Sequence, residues 1–170
     1  GEDMSRAVEH VHGLTGVASI VLQGAGPHFS VGGNPYSLSQ SRGPSTPTTV
    51  ALGLRELFNG FLQLRSMPRP VIGAVHGTLV GGGIAGCLHA DRIAADEASA
   101  FEHGNLVRGV CVLGMLSQTF AVALEPHAQR SYLQNARLDA RAGCAAGLVS
   151  MVQAGVSLTK ERAREAASIA

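Results

Sequence analysis

The sequence predicts an α/β domain built on a largely parallel sheet, and three observations carry that expectation. Residues 70–75 are a run of small and β-branched apolar residues, the kind that fill a strand covered on both faces, and they lead through Gly81, Gly82 and Gly83 into an apolar helix. Short strand-like runs alternate with segments of helical periodicity along the chain, as parallel strands joined by crossovers require. Of the 170 residues, 45% are hydrophobic but only 4% are aromatic and none is Trp. The core is therefore to be filled by Ala, Val, Leu and Ile packed against Gly-rich backbone.

The elements follow in order. Met4, Ala7, Val8 and Val11 share one face of a helix over 2–14, which Gly13 ends. Residues 17–23 read as a short buried strand. Residues 24–48 are rich in Gly, Pro and Ser and too long for an ordinary connection, which marks a functional or mobile loop. Val50, Leu54, Leu57, Phe58, Phe61 and Leu64 recur at helical spacing, in a helix that stops before Pro68. The strand over 70–75, the glycine turn and a helix over about 82–90 come next, then short strands over 92–95 and 99–101. Helices are expected over 115–124, 127–135 and 140–146, a strand over 148–153, and a final helix from 159. No repeat or linker divides the chain, so residues 1–170 are expected to form a single domain.

Composition narrows the function classes. A formal net charge of +1, with thirteen dispersed Lys and Arg, provides no basic field for nucleic acid. No apolar stretch has transmembrane length, and no basic segment with an apolar run opens the chain, so no membrane partner is expected; removal of a transit peptide keeps an organelle open beside the cytoplasm. Cys87, Cys111 and Cys144 are odd in number and widely spaced, without a C-x-x-C pair. They read as buried free thiols of a reducing compartment, the cytoplasm or an organelle lumen, and no metal site is expected. The glycine turn is the chemical signal: the first N–H groups of a helix lack intrahelical partners and lie at its positive end, where they can hold an oxyanion.

Three motifs resemble the crotonase (enoyl-CoA hydratase/isomerase) superfamily. His28-Phe-Ser-Val-Gly-Gly-Asn34 is similar to the family's F-x-x-G-x-D segment. Arg69 to Gly83, R-P-V-I-G-A-V-H-G-T-L-V-G-G-G, is similar to K-P-x-I-A-A-x-N-G-x-x-x-G-G-G, and is followed by Asp91-Arg-Ile-Ala-Ala95. Ala140 to Ser150 resembles the A-x-x-x-G-L-V-x that closes the family core. Together these motifs span residues 17–153.

The resemblance implies a spiral of ββα units that binds an acyl thioester of coenzyme A or of an acyl carrier protein. The phosphopantetheine arm would enter as part of the substrate, with no further cofactor. It also implies a carbonyl held between the N–H groups of Gly33 and Gly82, with Phe29, Val31, Asn34 and His103 around the substrate. The family's opening strands and C-terminal trimerisation helices have no counterpart here, so a core truncated at both ends is expected, homotrimeric in full-length form.

Family hydratases use two glutamates. The position two after the triple glycine is Ala85, and the position four after Phe101 is Asn105, and neither exchanges a proton at neutral pH. Loss of both beside a surviving hole is the pattern of the family's decarboxylases, including those of polyketide β-branching cassettes, so decarboxylation is the preferred reaction. Tyr36 is the candidate proton donor, with Asn34 and Asn105 orienting the departing carboxylate. No Asp or Trp stands where the dehalogenase branch needs its nucleophile. Enoyl-thioester hydration or isomerisation, and a non-catalytic thioester- or partner-binding module, are the alternatives.

Overall fold

The computed structural model describes residues 2–33, 46–108 and 126–153. Four parallel strands form the backbone of the domain in the spatial order β1 (Ile20–Gln23), β2 (Val71–Val75), β4 (Arg92–Asp96), β7 (Met151–Gln153). Ile20 pairs with Val71, Ile72 with Arg92, and Ala94 with Met151. All five residues of β2 are buried, as its unbroken apolar run requires of a central strand. A second sheet carries β3 (Thr78–Val80) parallel to β5 (Ala100–Glu102), which pairs antiparallel with β6 (Arg137–Asp139).

Helix α1 (Glu2–Gly13) precedes β1, and α2 (Pro47–Leu62) precedes β2 through a 3-10 turn at Gln63–Ser66. Thr46 caps α2 by accepting the Thr49 N–H at 3.2 Å, with Pro47 in the first turn, so the helix starts before its apolar stripe does. Helix α3 (Gly82–Cys87) follows β3. Helix α4 (Pro126–Leu133) leads into β6, and α5 (Ala140–Ala145) is capped by Asp139, which accepts the Ala142 N–H at 2.7 Å.

The expected strand over 70–75 holds, but the run beyond it is a second strand. Gly77, at φ 60°, breaks the chain between β2 and β3 and lets β3 leave for the other sheet. Strand β6 was not expected either, since only three residues pair there and two of them are exposed. The expected helices over 115–124 and from 159 lie outside the described residues.

The core packs Val75, Leu79, Ile84, Ala85, Ile93, Phe101, Leu148 and Val149 between the two sheets. Two polar clasps close it. Asp91 accepts the Val71 N–H at 2.7 Å while its own N–H reaches Val71 O at 2.8 Å, and Ser150 makes the same reciprocal pair with Ile93. The D-R-I-A-A and A-G-L-V-S motifs are thus strand-end clasps. Cys87 is buried as expected, but Cys144 is exposed on α5; Cys111 lies outside the described residues.

Among the described residues no helix is long and apolar enough to cross a membrane, and no cluster of His, Cys, Asp and Glu could hold a metal ion.

Candidate functional site

The site begins with how β3 presents its two neighbours. Phe29 N–H donates to His76 O at 2.9 Å, Ser30 N–H to Thr78 O at 3.2 Å, and Val80 N–H to Ser30 O at 2.9 Å. Residues 29–33 therefore run beside β3, with Ser30 bridged in parallel to Leu79. Two histidines tie the preceding loop to the same corner: His28 Nδ1 accepts the Thr78 N–H at 3.1 Å, and His76 Nε2 lies 2.8 Å from Gly26 O.

The three glycines after β3 have three separate reasons. Gly81 takes φ 55° and ψ −117°, a conformation in which a side chain is strained, and a Cβ there would meet Asn105 Oδ1 at 3.1 Å. Gly83 lies where a Cβ would stand 2.6 Å from Ser30 Cβ and 2.8 Å from Leu79 Cδ1, so its absence lets the 29–33 segment close onto α3. At Gly82 nothing lies within 4 Å of a Cβ, because its backbone faces an opening.

That opening is a cavity of about 300 Å³. Gly33 and Gly82 both line it, with Ser30, Gly32, Gly83 and Gly86 along its backbone side and Met4, Leu22, Phe29, Phe61 and Cys87 as its apolar wall. Backbone from two separate segments thus lines one apolar space. The Cys87 thiol is pushed up to about 12 by burial and stays protonated there. A larger, more polar cleft of about 470 Å³ lies between α1 and α2, lined by Arg6, Glu9, Arg55 and Glu56, away from the glycines.

The remaining candidates divide. Phe29 lines the cavity. Val31, 65% exposed, points to the surface and is not among the lining residues. Asn105 stands beside Gly81, at the outer edge of the glycine turn rather than in the lining. His103 is placed away from the cavity: it is 3% exposed, and its ring meets Tyr132 edge-on at 4.9 Å. Burial holds its imidazole down at about 4, so it is neutral at neutral pH. His103 stands one residue beyond β5 and two after Phe101, and is buried as Phe101 is. Asn34 and Tyr36 lie outside the described residues.

Sequence reasoning did not single out Phe61, Gly86 or Cys87 as cavity residues. The signal was available in the spacing, since Gly82 and Gly86, and Gly83 and Cys87, are four apart on one helix face. Ala85 is packed into the core at 2% exposure and takes no part in the lining.

The described residues thus form a parallel-sheet α/β domain whose glycine turn opens on an apolar cavity of small-molecule size. Comparison with known proteins gives the family. The sequence model described as enoyl-CoA hydratase/isomerase matches residues 1–170, and the chain belongs to that family. A Bacillus subtilis protein named "Probable enoyl-CoA hydratase" is 31% identical over 99 residues, covering 57% of this chain and 37% of that protein. The crystal structure of an enoyl-CoA hydratase from Polaromonas sp. JS666 superposes with a TM-score of 0.85 at 27% identity, over 98% of this chain and 65% of that one. A Bacillus anthracis enoyl-CoA hydratase at 20% identity, TM-score 0.86, shares the fold. The chain spans less than two thirds of the length of these relatives. The crotonase-type α/β fold expected from the motifs is thereby the fold of this chain.

Proposed function

We propose that this chain is the core of a crotonase-type enzyme that holds an acyl-thioester carbonyl between the Gly33 and Gly82 N–H groups and stabilises the enolate formed from it. The observation that carries this reading is the shared cavity: both glycines line one apolar space, and neither N–H has a hydrogen-bond partner among the described residues. Charge that develops on the carbonyl oxygen gains most from donors already in place and shielded from water, about 3–4 kcal/mol for each.

The reaction we favour is decarboxylation of a β-carboxy thioester. Ala85 and Asn105 supply neither acid nor base, which hydration through two carboxylates needs. Decarboxylation needs no base: the carbon–carbon bond breaks, CO₂ leaves, the electron pair passes to the carbonyl oxygen as an enolate, and a proton returns to carbon. The described lining holds no Lys, Arg or His, so a carboxylate brought into the cavity is unpaired and its loss removes a buried charge. Tyr36 is the proposed proton donor, with Asn34 orienting the carboxylate; Asn105, whose side chain lies by Gly81 outside the described lining, is not retained in that role. The site reads the thioester and its acyl group, so coenzyme A and an acyl carrier protein are both suitable bearers, the latter as in polyketide assembly. A homotrimer of the full-length protein belongs to the same proposal.

The names of the relatives favour a second reading, enoyl-thioester hydration or isomerisation, with a base from outside the two usual positions. One preparation assayed for CO₂ release from malonyl- and methylmalonyl-CoA and for hydration of crotonyl-CoA separates them. Decarboxylation with negligible hydration supports the proposal. Fast hydration replaces it with the second reading, and inactivity in both, with thioester binding retained, makes the chain a binding module.

A further inference from the structure

The wall of the cavity carries information on the acyl group. Gly82, Gly83, Gly86 and Cys87 all line it, so the space follows one face of α3 for four residues, about 6 Å at 1.5 Å per residue. The Gly82 end is open at the backbone, with nothing within 4 Å of a Cβ position.

The Gly86 end is closed. A Cβ on Gly86 would lie 3.0 Å from two ring carbons of Phe61, tighter than ordinary contact, so the ring is laid directly on the helix backbone. Phe61 is braced edge-on by Phe58, with ring centroids 6.2 Å apart at 69°. Cys87 is held against Gly73, where a Cβ would stand 2.7 Å from its sulfur. The half-buried Phe61 ring thus rests on Gly86 and Phe58, and the buried Cys87 sulfur on Gly73.

We infer that Phe61, seated on Gly86, is a specificity-determining residue that limits the acyl group to short chains, on the order of four carbons when the carbonyl is at Gly82. This rests on the thioester reading of the cavity. A longer chain must displace an aromatic ring from a braced contact, and a smaller residue at position 61 removes the stop. Substitution at Gly86 acts in the opposite sense, pressing the ring further into the space.

The test is a series of saturated probes, acetyl-, butyryl-, hexanoyl- and octanoyl-CoA, whose dissociation constants are measured calorimetrically on the full chain, Phe61→Leu, Phe61→Ala and Gly86→Ala. For the unmodified chain affinity is expected to peak at butyryl and fall at hexanoyl. In Phe61→Ala it is expected to keep rising to octanoyl by about fourfold for each methylene accommodated, with Phe61→Leu intermediate and Gly86→Ala shifted towards acetyl. Phe61→Leu and Gly86→Ala carry the test where Phe61→Ala lowers the melting temperature too far. Binding with the same chain-length profile in every variant overturns the role of Phe61 and leaves the thioester reading standing. Failure of the unmodified, folded chain to bind any probe overturns the thioester reading itself.

Discussion

Gly83→Ala is the substitution on which packing and site geometry meet. The added methyl would lie 2.6 Å from Ser30 Cβ, 2.7 Å from Ser30 Oγ and 2.8 Å from Leu79 Cδ1. Ordinary carbon contacts begin near 3.5 Å, so about 0.9 Å must be found against Ser30 Cβ. Leu79 is 1% exposed in the core and cannot supply it. The displacement therefore falls on Ser30, which is bonded to β3 through Thr78 O and Val80 N and leads directly to Gly33. Overpacking of this kind costs about 1–3 kcal/mol, or a fall in melting temperature of about 3–10 °C at this chain length. Moving the Gly33 N–H by most of an ångström relative to Gly82 costs on the order of 100-fold in turnover. Gly82→Ala is the contrast, because its methyl meets nothing within 4 Å: it leaves stability nearly unchanged while protruding into the cavity. Thermal melts, together with butyryl-CoA titration and CO₂ release from methylmalonyl-CoA, on both variants measure the two effects. A Gly83→Ala protein as stable as the unmodified chain, with unaltered binding, would refute the reasoning.

Three further outcomes follow from the same structure. Ala85→Glu does not restore a hydratase; its carboxyl enters a core position 2% exposed, and a loss of about 3–5 kcal/mol is expected by denaturant titration. At pH 8 iodoacetamide labels the exposed Cys144 and spares Cys87, whose thiol is pushed up to about 12, as peptide mapping would detect. His103, lowered from 6.5 to about 4, is neutral in the fold and charges more readily when unfolded, so its contribution is complete above pH 6.5 and is lost as pH falls towards 4. The melting temperature should fall over that window, and less steeply in His103→Gln; identical slopes would remove His103 as a cause.

How much was legible depends on what each residue answers to. The central strand was readable because Val71 to Val75 meet apolar surface on both faces, and α2 because its stripe repeats over sixteen residues. Strands β3 and β6 were not, since three residues are too few for a period and their pairing is decided by partners distant in sequence. Gly33 and Gly82 were found through the motifs and do line one cavity. Asn105 was placed only approximately: counting from Phe101 puts it near the glycine turn, but its side chain lies by Gly81 rather than in the lining. His103 was named for its chemistry, while the chain just past β5 buries it against the Tyr132 ring. Phe61 escaped notice because a helical aromatic reads as core until its Gly86 partner is seen.

In the proposed site, two backbone donors share one thioester oxygen. A crystal structure of the chain with butyryl-CoA bound tests it most directly. The thioester oxygen is expected within about 2.7–3.1 Å of both the Gly33 and Gly82 nitrogens. A thioester bound with its oxygen on neither nitrogen, or in the cleft between α1 and α2, would contradict it.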